Sequence, residues 1–156
     1  MEEREYKSTY NELVSVPCVF EKALLNHQAN HQAKCSLSRH FCLADREGYS
    51  CENAESSGKC SKFLEKLREK SIFVLKLHEV NDPLPHNMEI RVQAGGMMGL
   101  AKLVCVNAEG QSKQSVVDDI SRILSNMQKK YGLLVNWPYS EIIQSVVQFQ
   151  GRRRRR

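Results

Sequence analysis

The feature that most constrains this chain is a stretch that cannot fold by itself. Residues 32–60 hold four of the six cysteines, Cys35, Cys42, Cys51 and Cys60, among polar and small residues with few aliphatics. Close to thirty residues without apolar material cannot bury enough surface to offset the cost of ordering their backbone. Something other than a local core must hold them. Four thiolates are the right number and type of ligand for a tetrahedral zinc ion or an iron–sulfur cluster. Either would order the segment through its bonds to sulfur.

The spacing bears on which metal. Six residues separate Cys35 from Cys42, eight separate Cys42 from Cys51, and eight separate Cys51 from Cys60. Structural zinc sites usually contain one close pair of cysteines, because a tight turn presents two sulfurs to one small ion. This chain has none. A cubane offers separate irons, and wide loops can each deliver one sulfur to it. The reading is therefore a [4Fe–4S] centre on Cys35, Cys42, Cys51 and Cys60, with Zn as the alternative. Cys60 is expected at the start of the helix that follows, where the helix dipole favours the thiolate. Cys18 reads first as a core thiol beside an apolar stripe and second as a substitute ligand. His40 is a further alternate, as a ligand or as a surface residue of the loop. Cys105 ends an apolar run and reads as core. His27 and His31 share a helical face in a polar tract and read as a solvated helix end.

The cysteine reading presumes thiols and not disulfides. The charged opening, residues 1–7 (MEEREYK), lacks the apolar stretch of a secretory signal, and no run approaches the roughly 20 apolar residues of a membrane span. A cytoplasmic, reducing location without membrane contact is expected. In an oxidising compartment the same cysteines would instead form a disulfide framework.

The rest of the chain reads as mainly α. Residues 1–14 are expected to be a loose polar segment. Ser15 and Pro17 open a helix whose stripe is Val19, Phe20, Ala23 and Leu24. Phe63, Leu64 and Leu67 mark the face of a second helix. Residues 72–77 suit either a continuation of that helix or a strand, which leaves an α+β alternative with a short hairpin near 72–94. Ile90, Ala94, Met97, Ala101 and Val104 fall at helical steps. Gly95, Gly96 and Gly99 sit inside that seam; they weaken a helix but let a neighbour approach closely. Two more stripes follow, Val116 to Met127 ended by Gly132, and Ile142 to Val147 after Asn136 and Pro138 and ended by Gly151. Residues 15–151 thus read as one helical domain carrying the cysteine-rich loop 32–60.

Charge adds one feature. The net charge is +5, but five of the 23 basic residues are the terminal Arg152, Arg153, Arg154, Arg155 and Arg156, leaving 18 against 18 acidic residues. The body is neutral, with no basic stripe for nucleic acid. The arginine tail can neutralise phosphates or meet an acidic protein surface, or serve solubility alone. No Gly-x-Ser-x-Gly, His-Glu-x-x-His or Cys-x-x-Cys motif occurs, and the glycine cluster lacks the order of a phosphate loop. Nothing in the chain points to an enzyme. The functional expectation is a metal-centre protein that acts through a partner, in electron transfer or as a structural subunit of a complex. The alternative is a zinc-stabilised nucleic-acid or protein-interaction module anchored by the basic tail.

Overall fold

A computed structural model describes residues 2–25, 33–76, 84–104, 117 and 119–149. Among these residues the chain forms six helices and one hairpin, in the order α1 (Glu3–Leu13), α2 (Glu21–Leu24), β1 (Ser38–Leu43), β2 (Arg46–Cys51), α3 (Ala54–Ser71), α4 (His86–Val104), α5 (Ile120–Tyr131) and α6 (Tyr139–Gln148), with a single 3-10 turn at Leu134–Asn136 before α6. The fold is mainly α. None of these helices is long and apolar enough to cross a membrane.

The helical core follows the stripes. Phe63, Leu64 and Leu67 of α3, Val92, Met97 and Leu100 of α4, Ile120, Ile123 and Met127 of α5, and Ile142 and Val146 of α6 all join one cluster. Burying each such side chain contributes about 1.5–3 kcal/mol. Phe63 is the aromatic hub, with ring centroids 5.2 Å from Trp137, 6.0 Å from Phe20 and 6.5 Å from Tyr139. Local chemistry sets the helix ends. Asn53 caps α3 by accepting a bond from the Ser56 amide at 3.0 Å, and Asp119 caps α5 by accepting from Ser121 at 3.2 Å. Gly132, at φ 76°, ends α5. The Arg91 guanidinium of α4 donates to the carbonyls of Val146 and Val147 at 2.9 and 2.7 Å, satisfying the free C-terminal end of α6.

The glycines of α4 explain how closely its neighbours approach. A methyl at Gly95 would stand 2.7 Å from the Cα of Val146, and one at Gly99 would stand 2.9 Å from the carbonyl oxygen of Ile142. The α4–α6 crossing therefore depends on two absent side chains. Gly58, in α3, has nothing within 4 Å of an added methyl. The same substitution should then have opposite signs: Gly58→Ala is expected to stabilise by roughly 0.5–1 kcal/mol through helix propensity. Gly95→Ala should destabilise by about 1–3 kcal/mol through overpacking against backbone. Urea unfolding of the two variants checks this.

Several elements differ from expectation. Residues 3–13 are helical, with Glu3 and Glu5 in the favourable first turn, although the helix buries nothing of its own. It rests on the hairpin, where the Arg46 guanidinium lies 4.4 Å over the Tyr6 ring and Tyr10 meets Phe41 edge-on at 5.8 Å. The helix expected from residue 15 shrinks to the four residues of α2. Helix α3 stops at Ser71, and Ile72 to Lys76 form a turn in place of a continued helix or a strand. The hairpin lies at 38–51, inside the cysteine-rich segment, while the region near 72–94 contributes the start of α4.

Candidate metal centre

The hairpin decides the geometry of the site. Its register pairs Ser38 with Cys51 at one end and Cys42 with Glu47 near the turn at the other. With a rise near 3.3 Å per residue, Cys42 lies about 13 Å along β1 from Ser38. The Cys51 end meets residues 16–18, while the turn end, with Phe41 and Arg46, meets α1. The two-residue turn, Ala44 and Asp45, has positive φ at both positions (50° and 63°), the handedness a tight hairpin requires.

Three further segments meet the Cys51 end. Residues 16–18 run antiparallel along the free edge of β2: the Cys51 amide donates to Val16 at 2.8 Å and the Cys18 amide donates to Tyr49 at 3.0 Å. That edge pairing places Cys18. The segment carrying Cys35 is tied to the start of α5. Lys34 donates to the Val117 carbonyl at 2.8 Å and accepts from the Ile120 amide at 2.9 Å, and the Ser36 amide donates to the Asp119 carboxylate at 3.1 Å. Cys60 comes from α3, which begins at Ala54, so this residue lies well inside the helix and not at its start. It occupies the seam that continues as Phe63, Leu64 and Leu67. The dipole effect expected for Cys60 is therefore absent, since it fades beyond the first turn.

The result is a small cavity of about 20 Å³ lined by Cys18, Cys35, Cys51 and Cys60, with Phe20 and Ile120 among its apolar neighbours. These four cysteines are half-buried and free, whereas Cys42 is exposed and absent from the lining. Cys18, expected foremost as a core thiol, thus stands where the sequence spacing suggested Cys42. His40 is exposed on β1, 3.8 Å from the Glu47 carboxylate and edge-on to Tyr49 at 5.2 Å, and does not reach the cavity. Cys105, His27, His31 and residues 152–156 lie outside the described residues.

Burial dominates the electrostatics of Cys18, Cys35 and Cys60. Burial pushes Cys18 and Cys60 up to about 12. Neighbouring thiolates push in the same direction: Cys35 and Cys51 act on Cys18, and Cys35, Cys18 and Cys51 act on Cys60. Cys35 is also raised by burial, against the pull of the Leu37 and Ser121 backbone amides that bond its sulfur. Thiolates gathered in one cavity repel one another, and a cation among them would offset that repulsion. Among the described residues no three His, Cys, Asp or Glu side chains are arranged to hold one metal ion. A zinc tetrahedron with Zn–S bonds near 2.3 Å needs sulfurs about 3.8 Å apart. The four thiols are soft donors of the type that zinc or iron takes, and they line one cavity without forming such a group.

No protein-family model, curated protein or solved structure matches the chain.

Proposed function

We propose that the protein binds a metal centre through the thiolates of Cys18, Cys35, Cys51 and Cys60, and that this centre is a [4Fe–4S] cluster. The observation that supports it is the convergence of four cysteines, from four segments of the chain, on one cavity. Such a site suits a reducing, cytoplasmic setting, in keeping with five described cysteines that are all free. The cluster form is supported by the absence of a close cysteine pair in the sequence. The centre serves a partner. Half-buried sulfurs keep it near the surface, where it can pass electrons or act as a structural element of a complex.

The test is metal analysis of protein prepared without air and reconstituted with iron and sulfide. About four irons and four sulfides per chain, with a broad visible absorbance, is the expected result. One zinc per chain would replace the cluster with the structural alternative. Colourless protein that retains neither metal would remove the reading altogether.

A further inference from the structure

A second, larger cavity of about 160 Å³ adjoins the cysteine site, and Ser56, Cys60 and Ser121 line both. It lies between the first turns of α3, the outer face of α5 and the 132–137 connection. The space exists because small residues, Ser56, Ser121, Ser125 and Gly132, stand where larger side chains would close it. Its apolar part is made by Leu124, Leu133, Leu134 and Trp137. Leu124 and Trp137 are buried, and the Trp137 ring is held by an Nε1–H bond to the Gly132 carbonyl at 3.1 Å. An apolar wall fixed in this way is pre-organised and does not have to be ordered when a ligand arrives.

The polar part has one sign. Lys59 and Lys62 line the cavity, and no carboxylate does among the described residues. An apolar cavity of about 150 Å³ takes up benzene, so the volume here suits one ring-sized apolar group. The geometry points to a binding site for a small aromatic or similarly compact anion, its apolar body against Trp137 and Leu124 and its carboxylate or phosphate toward Lys59 and Lys62. The lining of this cavity carries the inference without any metal at the cysteines. A ligand seated there lies beside Cys60, and a metal centre at the cysteines would sense it.

Trp137 is the chain's single tryptophan, so its fluorescence reports directly on the site. The full chain is titrated with benzoate, benzyl alcohol and benzylamine, both metal-free and after reconstitution. Benzoate is expected to change the emission saturably with Kd about 1 mM, as befits a ligand of nine heavy atoms. Benzyl alcohol should bind about tenfold more weakly, and benzylamine more weakly still. The double substitution K59E/K62E, on exposed positions, should invert the order so that benzylamine binds better than benzoate. S125F should abolish the response while leaving the thermal transition in place. An emission change that never saturates, equal affinity for the three probes, or an unchanged order in K59E/K62E would overturn the proposal. Saturable benzoate binding by protein that retains no metal after anaerobic reconstitution would leave this inference standing and the cysteine proposal refuted, so the two fail separately.

Discussion

Serine at Cys18, Cys35, Cys51 or Cys60, introduced one position at a time, is expected to lower metal retention at least about tenfold, whereas Cys42→Ser should retain the wild-type content. Each of the four removes one soft anionic donor from a set in which all four share one cavity. Cys42 is exposed near the hairpin turn and contributes no sulfur there. Iron, zinc and sulfide analysis after anaerobic reconstitution reads the outcome. Metal loss in Cys42→Ser together with full retention in Cys18→Ser would mean that the ligands are those suggested by sequence spacing and not those the fold brings together. If metal bonds order the segment as proposed, the four affected variants should expose the hairpin to proteolysis sooner than wild type does.

The largest expected effect on stability lies away from the cysteines. The Glu89 carboxylate is 2% exposed and is held by Arg68 through two bonds, at 2.6 and 3.2 Å. It also accepts from the Gln93 amide at 2.9 Å, and Gln93 in turn accepts from the Ala23 backbone at 3.3 Å. This network joins α3, α4 and α2 beneath the segment that carries Cys18. Removing one partner strands a buried charge, so Arg68→Met should destabilise by about 3–5 kcal/mol. Adding Glu89→Leu to Arg68→Met should recover a large part of that loss, because the pair replaced together leaves no unpaired charge. A urea midpoint for Arg68→Met within about 1 kcal/mol of wild type, at unchanged slope, would show that Glu89 finds other compensation.

These outcomes bear on how far the residues alone could be read. The stripes of α3, α4, α5 and α6 were legible, because helical periodicity is a local property and each stripe meets the same core whatever its partner. The close-approach role of Gly95 and Gly99 was legible for the same reason, and α6 is the neighbour that uses it. The hairpin was not. Its turn is Ala44-Asp45 and not the Asn-Gly or Asp-Gly pair that marks such turns, and an alanine at positive φ is held by its surroundings against its own preference. The helix over 3–13 was likewise hidden, since it buries no residue and gains its support from Arg46 and Phe41 far along the chain.

The proposed ligand set divides along the same line. The residue types alone determined that the stretch from Cys35 to Cys60 is poor in apolar side chains and rich in thiols, a soft-donor type. Only the tertiary structure decided which thiols meet. Spacing along the chain made Cys42 the natural fourth member, but strand register sends it toward the turn, while pairing of residues 16–18 with β2 brings in Cys18 from outside the stretch. The burial of Glu89 against Arg68, and the cavity beside Cys60, are also products of assembly. Periodicity is written in neighbours a few residues apart, whereas a shared cavity is a relation between segments that only long-range packing brings within reach.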